Sequence, residues 1–550
     1  MLEFQHFSIF KKKLDTHLKK QFKYLLLFIL FFTTFVIRTY HFGVFKRPNV
    51  NESETANGGT WIGKEKFGIN QMILKGTPFQ RGLQSGNFTS SLLEKQEDEL
   101  VNQLKNWIPN PILLQGFVLA SILWFQGFDK YFEPWMLEEI YGVSKYAPKK
   151  YDYLADGFTR KAAYHGVHEI GQMIVDKGPE GMACTVVALP WKGKWVLGRT
   201  FDFEGGRIFD TEKIVKWVFP KNGNAFVSII WAGMVGAVTG VNNKGIYVSI
   251  NAGGSSDFSR VGTPTTLVLL KILQESSTME EAIKILKQEK TFITDIFVIL
   301  DQKNGQLYRI EKSPKKMAAI LITEGTVITN HLIDPIWKDD STNISRQENL
   351  TTVAREIQGK KMLEKLKNKK LSSSQIDNEI LKILRDKGEV DGKPLHLGNR
   401  RAIDALIATH AVIFNSVENI LYVSKGPGVS GPLIGFDLKA SFEKQGPVMT
   451  RILARDENVS DEMFTKIRNS NKELKVAQDL ISQKKCKEAK SVIDQSAELF
   501  KEQSIYYETL GNWYECEGEL DLARMAWKKS LALYPPYKQT VKMLEEKISP

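Results

Sequence analysis

The stretch that most limits what this chain can fold into is Gly181-Met182-Ala183-Cys184-Thr185-Val186-Val187-Ala188-Leu189-Pro190. It is followed by a Lys192-Gly193-Lys194 turn and then Trp195-Val196-Leu197-Gly198-Arg199-Thr200-Phe201-Asp202-Phe203. The two apolar runs read as strands joined by a tight turn, the first stepping through small residues into a cysteine, the second delivering an arginine and an aspartate. Side chains alternate along a strand, so Arg199 and Asp202, three apart, point to opposite faces. A bulge or turn near Phe201 is needed to bring both toward Cys184.

The chain flanking this hairpin is equally patterned. Strands are expected at 184–189, 194–201, 225–231, 245–251, 295–300, 307–311, 326–330, 411–414 and 420–423, with helices at 264–274 and 279–287 between them. Thr278 followed by Glu280 and Glu281 reads as a capped acidic first turn. Many strands at hairpin spacing with a few covering helices predict an α+β layered fold rather than a parallel nucleotide-binding one. No Gly-rich phosphate loop precedes a Lys-Ser/Thr helix start. A chain of 550 residues exceeds one core and predicts two or three domains. The +12 charge comes from scattered lysines without a basic, aromatic-studded stripe, which argues against nucleic acid as a partner.

At the N-terminus Lys11, Lys12, Lys13, Lys19, Lys20 and Lys23 precede the charge-free run 24–37, followed by Arg38. This predicts an uncleaved signal anchor with a catalytic domain outside the cytoplasm, periplasmic or extracellular, or a secreted protein if the segment is cut. Residues 49–77 are polar and Gly-rich and read as linker. The aromatic block 111–135 reads either as a helical hairpin packed on the catalytic domain, the preferred reading, or as lying in part at a membrane surface. His165 and His168, three apart, make half of a metal site that no other cluster completes. A cysteine alone in its domain is by default a small buried hydrophobe, Arg199 a surface residue and Asp202 a turn residue.

Together, Ala183-Cys184-Thr185, the 198–203 strand, Thr239-Gly240-Val241-Asn242-Asn243-Lys244-Gly245-Ile246 with Asn251, and Thr329-Asn330 resemble the N-terminal-nucleophile hydrolases of the acyl-transferase and linear-amide hydrolase type. These are relatives of penicillin acyltransferase, acid ceramidase and bile salt hydrolase, and the resemblance spans about 132–437. The family has Arg-Asn-x-Asp-Trp where this chain has Arg199-Thr200-Phe201-Asp202-Phe203, a departure that keeps the two charged residues and alters the pocket shape. The resemblance implies a four-layer αββα sandwich at 184–440. It also implies self-cleavage between Ala183 and Cys184, and Cys184 as nucleophile in cutting a linear amide, by hydrolysis or acyl transfer, without a cofactor or metal. A free α-amine titrates near pH 8 (about 8) and can serve as base for the thiol on its own residue. Arg199 would then favour the thiolate, Asp202 would hold the amine, Asn330 would donate to an oxyanion with Asn251 as a second polar group, and Arg346 would stand for the family's late arginine. The substrate is expected to be a small-molecule N-acyl amide, with the anchor and the aromatic block pointing to a lipophilic acyl chain.

The remaining divisions are 1–45 for the anchor, 46–183 for linker and helical pro-region, 441–469 for a second linker and 470–550 for a helical segment. In the last, Tyr507, Leu510, Gly511, Tyr514, Ala523, Trp527, Ser530 and Pro535 follow a tetratricopeptide-like period, offering a surface for a protein partner. Cys486 and Cys516 are expected to be small packing residues, with a regulatory disulfide between them as the other reading. Two other readings stay open: a noncatalytic scaffold working through these helices, and a conventional cysteine peptidase using His168 or His331.

Overall fold

The computed structural model of the chain describes residues 45–166, 169, 172, 182–204, 206–367 and 369–549, together with Leu26, Leu30 and Thr33. Among the described residues two large sheets form, both of them mostly antiparallel. In spatial order the first runs Thr60–Ile62, Asn70–Gly76, Ile214–Pro220, Phe226–Ile230, Thr239–Asn242, Ile246–Ala252, Asp295–Asp301, Gln306–Lys312 and Met317–Ile322. The second runs Thr326–Ile328, Met182–Trp191, Lys194–Phe203, Ala408–Asn415, Ile420–Ser424, Leu433–Asp437 and Met449–Leu453.

The sheets pack face to face because each strand alternates which side it buries. Val186, Ala188 and Leu197 of the second sheet meet Val215, Trp217, Val241 and Tyr247 of the first in one apolar layer. Val187 and Val196 point the other way, onto helices Thr352–Glu364 and Ser373–Leu384. The contact is close: a Cβ on Gly198 would lie 2.3 Å from Ile380 Cγ2, so only glycine lets that helix down onto the sheet. Helices Thr265–Glu275, Met279–Gln288 and Pro134–Ser144 cover the outer face of the first sheet. Thr278 caps the second of these by accepting from Glu281 N–H at 3.3 Å, as the sequence predicts. The result is a mixed α/β arrangement of two packed sheets consistent with the expected αββα layering.

Several expectations need correction. Among the described residues no helix is long and apolar enough to cross a membrane. The signal anchor, the membrane as a partner and the extracytoplasmic placement that rested on it are therefore withdrawn. Most of the 24–37 run lies outside the described residues. The strands Thr60–Ile62 and Asn70–Gly76 fall in the stretch expected to be linker and helical pro-region, and Met449–Leu453 falls in the expected second linker. The Asn70–Gly76 strand pairs in parallel with Ile214–Pro220, a long-range match that local composition does not signal. Helix Pro111–Trp124 buries Leu114 but leaves Ile112, Leu113, Phe117 and Trp124 exposed, so only the later part of the aromatic block, with Phe128 and Phe132, joins the core.

The C-terminal helices Asp461–Ser482, Cys486–Phe500, Ser504–Glu517, Leu520–Ala532 and Lys538–Ile548 form two hairpins and a final helix. Gly518 closes the third with φ 86°, and Gly511 lets the indole of Trp527 within 2.4 Å of where a Cβ would be. Cys486 and Cys516 are joined as a disulfide rather than being separate packing residues, because the antiparallel helices bring their Cα atoms to 6.0 Å. The segment packs on its own chain, with Phe464 and Ile467 against Leu406, and the expectation of a protein partner through these helices is dropped.

Candidate active site

Met182–Trp191 and Lys194–Phe203 pair in unbroken register, with Ala183 opposite Asp202, Cys184 opposite Phe201 and Val186 opposite Arg199. Cys184, Arg199 and Phe201 therefore face the other sheet, while Ala183 and Asp202 face the helical layer. The irregularity expected near Phe201 exists, but it sits in the neighbouring strand, where the register shifts between Ala408 and His410 opposite Asp202 and Phe201. Arg199 and Asp202 stay on opposite faces, and the Cys184 side chain shares the face of Arg199.

Arg199 is fully buried between the sheets. One Nη1 hydrogen goes to Val238 O at 2.8 Å, and further bonds reach Thr239 Oγ1 and Ile250 O. Its Nη2 lies 3.9 Å from Cys184 Sγ, with the guanidinium over the Phe201 ring at 4.9 Å. Burial pushes the Cys184 thiol up, against the pull of Arg199 and with Asp202 adding to the rise. Desolvation outweighs the arginine, so burial favours the protonated thiol here.

Asn330 lies where the Thr326–Ile328 ladder with Val186–Ala188 would run on to Cys184. There the ladder stops, and a side chain takes over from the backbone. Asn330 Oδ1 accepts from the Cys184 N–H at 2.9 Å and from Arg355 Nη2 at 2.7 Å, and Asn330 Nδ2 donates to Ala252 O at 2.9 Å. That leaves one Nδ2 hydrogen for another acceptor. Asn251 donates both amide hydrogens, to Ile328 O at 3.0 Å and Thr329 O at 3.1 Å, and so ties the first sheet to the segment just before Asn330. Arg346, from helix Ser341–Asn349, is buried with Nη1 3.3 Å from Asn330 O.

Arg355 was not among the sequence candidates, yet it holds this corner together. Its Nη1 donates to Cys184 O at 2.7 Å and Thr185 Oγ1 at 2.8 Å, while its Nη2 reaches Asn330. The signal was there. Arg355, Gly359, Leu363 and Leu366 form the buried stripe of a lysine-rich stretch, and an arginine occupies the position a hydrophobe would normally take.

Asp202, Ala183, Met182, Asn330, Arg346, Arg355, Arg400 and Tyr537 line a cavity of about 40 Å³. That is room for a water but not for an acyl amide. The Asp202 carboxyl is pushed up to about 7, chiefly by burial and also by Asp404, against the pull of Arg355, Arg400 and Arg199. A carboxyl raised on folding holds its proton more tightly in the folded chain. Its contribution to stability is full below its unfolded pKa and is lost as pH climbs from about 4 to about 7. Denaturation midpoints of Cys184→Ala protein at pH 5 and pH 8 are therefore expected to drop further than those of Cys184→Ala/Asp202→Asn. Equal drops would remove Asp202 from this account.

Neither His331 nor His165 is hydrogen-bonded to the Cys184 thiol. His331 Nδ1 meets Thr352 Oγ1 at 2.9 Å and Nε2 meets Glu356 at 2.9 Å. His165 receives the Val235 N–H at 3.0 Å on Nε2, with Nδ1 2.8 Å from Lys161 O, which occupies both of its nitrogens in packing. His168 lies outside the described residues.

Residues 191–391 match the family model described as acyl-coenzyme A:6-aminopenicillanic acid acyl-transferase. The matched segment contains Arg199, Asp202, Asn251, Asn330, Arg346 and Arg355 but begins after Cys184. Over those residues, which are less than half of the chain, the sequence is similar to that acyltransferase family. Among solved structures, an N-acylethanolamine-hydrolyzing acid amidase ortholog from Caenorhabditis elegans is 13% identical with a TM-score of 0.31, covering 49% of this chain and 100% of its own. A mutant of the conjugated bile acid hydrolase from Clostridium perfringens is 14% identical with a TM-score of 0.33, covering 49% of this chain and 96% of its own. A second variant of that hydrolase gives 14%, 0.33, 50% and 100%. No curated protein matches the chain.

Proposed function

We propose that the chain is a self-processing cysteine amidohydrolase or acyltransferase that cuts a linear N-acyl amide through an acyl-thioester on Cys184. The observation that carries this reading is the treatment of the Cys184 backbone. Its N–H is held by a side chain, Asn330 Oδ1, at 2.9 Å, and its carbonyl by Arg355 at 2.7 Å, where a sheet would ordinarily use backbone partners. A nitrogen held in this way keeps its place when the peptide bond before it is broken.

In processing, Sγ attacks the Ala183 carbonyl carbon and the carbon–nitrogen bond breaks. The Cys184 nitrogen takes up the proton as an amine, and water then hydrolyses the thioester to leave a carboxylate on Ala183. Asp202 lies directly across from Ala183 and so beside the ammonium that forms. The new positive charge favours an ionised Asp202 and offsets the burial that keeps it protonated in the uncut chain. In turnover the amine accepts the thiol proton, Sγ attacks the substrate carbonyl, and the amine product leaves with that proton. Water then resolves the thioester in a hydrolase, and an acceptor amine does so in a transferase. Arg199 steadies the sulfur's negative charge, and the remaining Nδ2 hydrogen of Asn330 is the donor for the oxyanion. Met182 and Ala183 line the small cavity, so their departure makes room for substrate.

The test is the mass of purified protein under denaturing conditions, followed by turnover of a panel of N-acyl amides. A fragment beginning at Cys184 and release of free acid or transferred acyl group are expected. An active protein that remains joined across Ala183-Cys184 would overturn the mechanism.

A further inference from the structure

The C-terminal helices do more than pack on the catalytic layers. They reach the cavity beside Asp202 and line one side of it. Tyr537, immediately before helix Lys538–Ile548, lines that cavity together with Asp202, Arg355 and Arg400. Its position is fixed from several directions. Pro535 and Pro536 precede it and restrict the backbone, Asn399 Nδ2 donates to Tyr534 O at 3.2 Å, and helix Lys538–Ile548 lies along Ser341–Asn349, the helix that carries Arg346. The loop that supplies Arg400, Ala402 and Ala405 is gripped from the same segment. Phe464 and Ile467 pack on Leu406, and a Cβ on Gly398 (φ 83°) would come within 2.9 Å of Ile467. An extended tail that merely covered the surface would not engage both walls of one cavity.

We propose that Tyr537 is a specificity-determining residue of the amide-cleaving site, supplied by the C-terminal helices, and that with Arg400 it contacts the part of the substrate lodged where Met182 and Ala183 leave. This rests on the function proposed above. A phenol offers a ring face, a donor and an acceptor, and here it is held ahead of binding by its neighbours, which lowers the entropy lost when substrate arrives.

The experiment uses the full chain and its Tyr537→Phe and Tyr537→Ala variants, each checked for the fragment starting at Cys184. Kinetics follow on N-acyl amides that share one acyl chain and differ in the amine. Tyr537→Ala is expected to raise KM at least tenfold with kcat changed less than threefold, and to shift the ratio of kcat/KM between two amides more than fivefold. Tyr537→Phe falls between it and the parent. A purely structural role would lower kcat and stability together without altering the ratio. Unchanged KM and an unchanged ratio in processed Tyr537→Ala overturn the proposal, and if Tyr537→Ala fails to fold, the same criterion is applied to Tyr537→Phe. If the parent cuts itself but turns over none of the amides, the amidase reading fails by itself, and labelling of the Cys184 thiol decides the role of Tyr537. A wall narrowing the mouth slows a bulky maleimide more than iodoacetamide, and Tyr537→Ala must remove that difference or the proposal falls.

Discussion

Cys184→Ala protein is expected to remain a single chain through Ala183 and residue 184 and to lose turnover of N-acyl amides by about 10⁴–10⁶-fold, the scale on which removal of a covalent nucleophile acts. The argument comes from the placement of the sulfur. Sγ faces the apolar layer between the sheets, 3.9 Å from Arg199 Nη2, with neither His331 nor His165 bonded to it. In the proposed mechanism the group that takes its proton in turnover is the nitrogen of its own residue, freed when the peptide bond before it is cut. Loss of the thiol therefore removes processing and turnover together. The side chain is small and buried, and alanine keeps the strand pairing, so the variant should fold with its sheets intact. Mass analysis and an amide turnover assay read the two effects separately. A Cys184→Ala chain that still divides at this position would show that another group performs the cut.

The second large effect is expected at Arg355. In the uncut Cys184→Ala background, Arg355→Leu should lower unfolding free energy by about 3–5 kcal/mol, the cost of leaving buried partners of a charged group without their donor. Cys184 O, Thr185 Oγ1 and Asn330 Oδ1 all lose a bond at once, in a region that water hardly reaches. The check is the urea midpoint of the two proteins with unchanged m-value. In the otherwise wild-type chain the same change should slow the appearance of the Cys184 fragment, since Asn330 would no longer be held against the Cys184 nitrogen. An unfolding free energy lowered by less than about 1 kcal/mol would mean that Arg355 does not tie this corner together.

The parts of this molecule that could be read in advance are those governed by local pattern. The hairpin around Lys192 and Gly193, the strand carrying Asn251 and the Thr278 cap all follow from alternation and turn chemistry and appear at their expected places, while the strand expected to reach Asn330 stops at Ile328. What escaped depends on distant partners. The Asn70–Gly76 strand looks like part of a polar linker until Ile214–Pro220 lies beside it, and Met449–Leu453 is a strand because Leu433–Asp437 offers an open edge. Arg355 was hidden among lysines. Its meaning depends on Cys184, 171 positions earlier in the chain. Tyr537 and the Cys486–Cys516 link depend on how the C-terminal helices fold back, which no period in their sequence states. The apolar run near the N-terminus shows the opposite error, where flanking lysines gave a segment of marginal length more meaning than the described helices support.

The parallel pairing of Asn70–Gly76 with Ile214–Pro220 bears on what a cut at Ala183 would leave behind. The upstream piece contributes two strands to a shared sheet and, through Met136, Ile140 and Val143, part of its outer core, so it would have no way to diffuse off without tearing that sheet open. Maturation would then yield a tightly associated heterodimer: one envelope in native gel filtration, two bands once denatured. An affinity tag on either half should retrieve both.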